Sequence, residues 1–178
     1  MNNPQESANL SRKNDYGTIE QTMEKFSGGT RRLAAQLTTS ASLDSLWNVL
    51  TDYDRLNLYI PNLLSSKKIY QKNNNVHLKQ VGAQDFLGMK FSAEVTIDLF
   101  ENKELGLLKF KLIKGDFRKF EGSWRIQNIK NTSKNSLIYD LTVQGCQWMP
   151  IGMIEKRLRK DLSENLIAVD RQAKSSTN

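Results

Sequence analysis

Hydrophobic and polar residues alternate through the middle of this chain and recur every three to four residues near its end. Over one stretch Met89, Phe91, Ala93, Val95, Ile97 and Leu99 take turns with Lys90, Ser92, Glu94, Thr96 and Asp98, the period of a strand with one dry face and one wet. The same parity turns Leu108, Phe110 and Leu112 inward on the next strand, then Phe120, Trp124 and Ile126, then Leu137, Tyr139, Leu141 and Val143. Arg31 to Thr39 alternates as well, with Leu33, Ala35 and Leu37 on one side. After it, Ser42 or Asp44 can cap a helix carrying Leu43, Leu46, Trp47 and Leu50, and a second short helix around Asp54 to Tyr59 stops at Pro61. Between Leu63 and Gln147 the turn-forming stretches Asn73 to Asn75, Asp85 to Gly88, Glu101 to Glu104, Gly115-Asp116 and Asn131 to Asn135 divide six strands, which reads as an antiparallel meander. Pro150 opens the last element, where Ile151, Ile154, Leu158, Leu162, Leu166 and Val169 form one apolar stripe on a helix of about six turns.

Only the inner face of the sheet is large enough to bury that stripe, so the pattern predicts an α+β domain: a curved antiparallel sheet gripping one long C-terminal helix, with two short helices after the first strand. Residues 30–174 are expected to form this domain. Residues 1–29 are polar, show no sustained period and end in Ser27-Gly28-Gly29, and are expected to be a flexible tail; 175–178 are expected to be disordered.

At 178 residues the chain is long enough for one domain with a substantial core or a lined cavity. No apolar run approaches the ~20 residues of a membrane-spanning helix. The first residues lack a basic patch followed by an apolar stretch, and Glu6, Asp15, Glu20 and Glu24 argue against a transit peptide, so a cytoplasmic location is expected. The single cysteine, Cys146, has no partner for a disulfide or a metal site and is read as a buried structural thiol. The formal charge of +7 is compatible with RNA, a ribosome, anionic lipid or acidic protein surfaces, but the basic residues are scattered and select no partner.

The inventory for catalysis is thin. The one histidine, His77, falls on the outer parity of its strand, and no phosphate-cradling glycine loop, nucleophile elbow or paired metal-ligand spacing occurs, so neither a cofactor nor a metal is expected. The segment Gly115 to Trp124 crowds charge beside aromatics; Arg118 shares parity with Phe120 and Trp124 and is a candidate polar contact at a cavity mouth, against the alternative of a strand connection facing water. Gln80 and Tyr139 sit on inner-face parity, where each needs a hydrogen-bond partner or a ligand oxygen. The run Lys156 to Lys160 reads either as a phosphate-binding patch or as a solvated face paired with Glu155, Asp161 and Glu164. Phe86, Leu87 and Met89, with Trp148, Met149, Ile151 and Met153, read either as core or as a lid that touches a membrane surface transiently during ligand exchange.

Three stretches carry a family likeness: Ser45-Leu46-Trp47-Asn48-Val49-Leu50-Thr51-Asp52-Tyr53-Asp54 with Tyr59-Ile60-Pro61-Asn62-Leu63, then Gly115 to Trp124, then Leu158 to Leu166. Over residues 31–173 the chain resembles the START-like (SRPBCC) superfamily, in its polyketide cyclase/dehydrase and coenzyme Q-binding branch. The resemblance implies the helix-grip fold, shared with birch-pollen-allergen-like proteins, and a deep cavity between sheet and helix for lipids, isoprenoids, quinones or polyketides. The walls of such a cavity are expected to include Phe91, Leu108, Phe110, Phe120, Trp124, Tyr139, Leu158 and Leu162, with Gln80 and Arg118 as polar contacts and no catalytic residue assigned. The leading expectation is non-catalytic binding or transport of a hydrophobic small molecule. The alternatives are an aromatase or cyclase steered by Arg118, Tyr139 and Gln80, and an interaction module for a ribosome or another complex.

Overall fold

The computed structural model describes residues 6–14, 17–86, 89–146 and 151–176, with side chains described over 19–83, 92–146 and 155–176. Nine antiparallel strands form one sheet: β1 (Glu6–Asn14), β2 (Gly17–Lys25), β3 (Arg31–Thr39), β4 (Leu63–Lys72), β5 (Asn75–Phe86), β6 (Met89–Asn102), β7 (Leu107–Gly115), β8 (Phe117–Asn128) and β9 (Asn135–Gly145). Their order is β1-β2-β3-β9-β8-β7-β6-β5-β4, so the meander runs back from β4 and its last strand docks on β3. Among the described residues two α-helices complete the fold, α1 (Leu43–Thr51) and α2 (Ile151–Ser175), with short 3-10 turns over Ser27–Gly29 and Tyr53–Leu58.

Local chemistry sets the helix boundaries. Ser42 caps α1, its hydroxyl accepting from the Ser45 amide at 3.0 Å, which resolves the choice between Ser42 and Asp44. Leu46, Trp47, Val49 and Leu50 then turn inward, and Asn62 takes a left-handed backbone (φ 62) just before β4, a conformation asparagine tolerates better than most residues. Irregular pairing at Leu63/Ser65, Lys68/Tyr70, Thr96/Ile97 and Phe117/Lys119 adds local bends to the ladder; such bulges bend and twist the strands that carry them.

Helix α2, about 37 Å long at 1.5 Å per residue, packs on β3, β9 and α1. Its C-terminal half is closed tightly: Leu166, Val169 and Ala173 are fully buried among Leu33, Leu37 and Leu46. Buried polar groups pin the two layers. Thr39 donates to the buried carboxylate of Asp170 and accepts from the Ala41 amide at 2.9 Å, while Lys174 reaches the same carboxylate at 2.8 Å. Nearer the start of α2, the Arg31 guanidinium holds Glu155 at 2.5 Å.

The structure corrects the expectation of a flexible tail over residues 1–29. Residues 6–14 and 17–25 form β1 and β2, and β2 extends the sheet beyond β3 so that Ile19 and Met23, each 2% exposed, lie beside Leu37 and Leu33. Gln21, between them, donates to the Arg159 carbonyl at 2.8 Å and to the Ser163 hydroxyl on α2. Two apolar residues amid polar ones are too few to show a strand period; the neighbouring strand and the helix supply the rest of the burial. At the other end, α2 continues to Ser175, one residue past the expected boundary.

Candidate functional site

Where α2 leaves the tight packing, the inner faces of β5 to β9 draw away from it and leave a cavity of about 310 Å³. The strand period explains its floor. Leu78 on β5, Val95, Ile97 and Leu99 on β6, Leu108 and Phe110 on β7 and Leu141 on β9 all project to one side. Its roof is α2, through Leu158, Leu162 and Val169, and one end is formed by Leu50, Tyr53, Leu56 and the segment Ile60 to Leu63.

Aromatic rings build one wall. Trp124 stacks on Tyr139 with ring centroids 4.0 Å apart and planes within 9°, and Phe110 bridges Tyr139 (6.2 Å) to Phe120 (5.6 Å), which in turn meets Phe117 (5.4 Å). These rings fit because β8 carries Gly122 beneath them. A side chain there would meet the Asp140 carbonyl oxygen and come within 2.8 Å of the Phe110 ring, so only glycine lets β8 run between β7 and β9 with Phe110 lying across it.

Of the expected wall residues, Leu108, Phe110, Phe120, Trp124, Tyr139, Leu158 and Leu162 all line the cavity, as does Gln80, whose amide donates to the buried Ser66 hydroxyl at 3.2 Å. The side chain of Phe91 lies outside the described residues. So do those of Phe86, Leu87, Met89, Trp148, Met149, Ile151 and Met153, together with Pro150. Arg118 is not brought to the site: it is exposed, and Phe117 lines the cavity in its place. The reason is the irregular pairing between Phe117 and Lys119, which puts Phe117 and Phe120 on the same face and breaks the parity count that aimed Arg118 inward.

Further polar groups of the cavity come from α2. Arg157, Asp161 and Asn165, spaced four apart, line it as a ridge beside the apolar stripe. Arg157 and Asp161 pair at 3.0 Å, and Asn62 donates to Asp161 at 3.4 Å. Among the described residues Asn165 Oδ1 is buried without a hydrogen-bond partner. The charged run 156–160 is therefore split: Lys160 pairs outward with Glu164 at 3.5 Å, whereas Arg157 faces the guest space. The four-residue spacing of Arg157, Asp161 and Asn165 is visible in the sequence. It is masked by the stronger apolar stripe one residue away.

Burial, and secondarily the negative charge of Asp161, push the Tyr139 hydroxyl well above the ordinary phenol range, so it remains protonated and able to donate. Tyr53 is pushed up in the same direction, by burial and then by its 2.6 Å hydrogen bond to Glu101. His77 is on the outer face beside Asp98 at 3.7 Å and against the Tyr70 ring at 4.8 Å, the strand-surface placement its parity predicts. Cys146 is half-buried rather than buried, its thiol donating to the Asp116 carbonyl at 2.8 Å, and it does not line the cavity. Among the described residues no three His, Cys, Asp or Glu side chains gather where they could hold a metal ion, and no helix is long and apolar enough to cross a membrane.

The family model described as polyketide cyclase / dehydrase and lipid transport matches residues 39–170, nearly three-quarters of the chain and all of its cavity-lining residues. The chain belongs to this family. Family membership agrees with the helix-grip architecture, and solved structures repeat it. A STAR-related lipid transfer protein from Xanthomonas axonopodis superposes with a TM-score of 0.78 at 11% identity, over 93% of this chain and 98% of that one. The Zhui aromatase/cyclase from Streptomyces sp. R1128 gives 0.72 at 14% identity over 84% and 96%, and the human StAR-related lipid transfer protein 5 gives 0.74 at 7% over 97% and 88%. At these identities the likeness is one of START-like fold. No curated protein matches the sequence.

Proposed function

We propose that this family member binds a hydrophobic small molecule of the isoprenoid, quinone or lipid type between sheet and α2 and carries it without transforming it. The observation that supports this reading best is the cavity itself: about 310 Å³ walled by stacked aromatics and branched aliphatics, the low end of the size range of small-molecule pockets.

The turnover alternative asks Arg118, Tyr139 and Gln80 to steer protons. Arg118 is exposed away from the cavity, Gln80 is engaged by Ser66, and Tyr139 is held protonated, so the site offers no poised base among those three. Carrier function fits the same walls without further demands.

The test is native mass spectrometry of the purified protein, with organic extraction to identify what leaves with it. A stoichiometric apolar compound supports the carrier reading. A protein that stays empty after incubation with prenols, quinones and lipids defeats it and favours an interaction module. Trp124→Ala, which removes the ring stacked on Tyr139, is expected to weaken binding by ~1 to 2 kcal/mol, up to about thirtyfold in Kd; unchanged affinity excludes Trp124 from the wall.

A further inference from the structure

Charge and hydrogen-bonding capacity are distributed unevenly around the cavity, and that distribution constrains the guest beyond its being apolar. Among the described residues of the lining, Arg157 and Asp161 are the only ones that carry a full charge at neutral pH, and they pair with each other at 3.0 Å. An anionic head group drawn to Arg157 would compete with Asp161 for the guanidinium and sit beside that carboxylate, whose like charge opposes it. The cavity wall is thus selective against carboxylates and phosphates even though the whole protein is basic.

Two neutral groups in the same cavity are unspent. Asn165 carries a buried Oδ1 with no hydrogen-bond partner among the described residues, one helical turn beyond Asp161. Tyr139 lines the cavity with its ring packed against Trp124 and Phe110, and its hydroxyl makes no hydrogen bond among the described residues. Leaving the buried Asn165 oxygen unsatisfied costs stability unless something else occupies it. A hydroxyl both donates and accepts. It therefore satisfies the Asn165 amide in either of its two orientations, and it can accept from Tyr139 as well. A ketone or quinone oxygen only accepts, and a plain hydrocarbon does neither.

We propose that the guest is an uncharged alcohol or phenol, a hydrophobic body ending in a hydroxyl that seats against Asn165 and Tyr139, with the hydrocarbon directed toward Leu78, Ile97 and Leu99. This rests on the carrier reading above and narrows it to prenols, phenols and quinols in preference to quinones, fatty acids or unfunctionalised hydrocarbons. Asn165 and Tyr139 are then the residues that set specificity, while Arg157 and Asp161 exclude anions.

The test uses the full chain and two matched probe sets, farnesol with farnesene and farnesoic acid, and naphthol with naphthalene and naphthoate, with affinities from calorimetry or tryptophan fluorescence. Wild type is expected to bind the alcohol of each set about tenfold more tightly than the hydrocarbon or the acid, the fold-change of one buried hydrogen bond. Asn165→Leu should remove most of the alcohol-over-hydrocarbon preference while raising or preserving the empty protein's Tm, because it removes a buried atom that has no partner among the described residues. Tyr139→Phe, which keeps the stacked ring, should reduce the preference in part. Equal binding of all three members of each set, tighter binding of the acids, or an undiminished preference in Asn165→Leu overturns the inference and leaves the carrier reading standing. No binding of any of the six probes defeats the carrier reading and the inference with it.

Discussion

Replacing Gly122 with alanine tests how the aromatic wall is seated. Gly122 lies opposite Phe110 on β7 and opposite Leu141 on β9, at the centre of the sheet. A methyl group there would press on the Asp140 carbonyl oxygen and approach the Phe110 ring to 2.8 Å. Neither neighbour can move freely: the carbonyl belongs to the β8–β9 ladder, and the 6% exposed ring is held between Phe120 and Tyr139. Overpacking costs ~1 to 3 kcal/mol, and although Phe110 borders the cavity, the clash with the Asp140 backbone puts this change at the upper end. For a domain of this size 1 kcal/mol moves Tm by ~2 to 4 °C, so Gly122→Ala should melt about 6 to 12 °C below wild type. The melt is followed by circular dichroism, alone and in the Phe110→Leu background. Shortening the ring should cost less stability in the alanine background than in wild type, with a coupling of ~0.5 kcal/mol or more. A Gly122→Ala protein melting within about 2 °C of wild type refutes the argument that glycine is required under the wall.

The N-terminal hairpin is tested by Ile19→Ala and Met23→Ala: each should cost ~2 to 5 kcal/mol in a denaturant titration, as for core residues, whereas changes in a tail would be silent. Thr39→Val should cost ~1 to 3 kcal/mol, because it strips hydrogen bonds from both the buried Asp170 carboxylate and the Ala41 amide; an equal midpoint would show that the layers are not pinned there. Burial alone would raise the Glu155 carboxyl, but the Arg31 hydrogen bond and charge, aided by Lys25, outweigh it and hold it below its ordinary value of 4.5. A lowered native value means that this group stabilises the fold above about pH 4.5 and that its contribution is lost as pH falls through the native value. The Tm difference between wild type and Glu155→Gln should therefore be largest near neutrality and shrink in acid; a difference independent of pH refutes it.

Much of this protein was legible as pattern. The strict alternation from Ala93 to Leu99 and the matching parity of Phe110, Trp124 and Tyr139 placed those side chains on one inner face, and that is where they lie. Ser42 and Pro61 bracketed the short helical region, and the α2 stripe at three- and four-residue spacing required a sheet to cover it. Residue type and period suffice for these because they express local geometry: a strand repeats every two residues and a helix every 3.6, whatever the surroundings.

Long-range placement was not legible in the same way. Nothing local distinguishes Ile19 and Met23 from surface residues until β3 and α2 are beside them, and one irregularity in pairing after Phe117 reverses the faces that parity assigns to Arg118 and its neighbour. The polar ridge of Arg157, Asp161 and Asn165 borders both the apolar stripe and solvent, and its side chains face guest space only because the sheet curves away from that half of the helix. Whether the inner face closes into solid core or opens into a cavity depends on that separation between sheet and helix. It is a distance summed over bulges, strand twist and the glycine under Phe110, and no single stretch of residues encodes it.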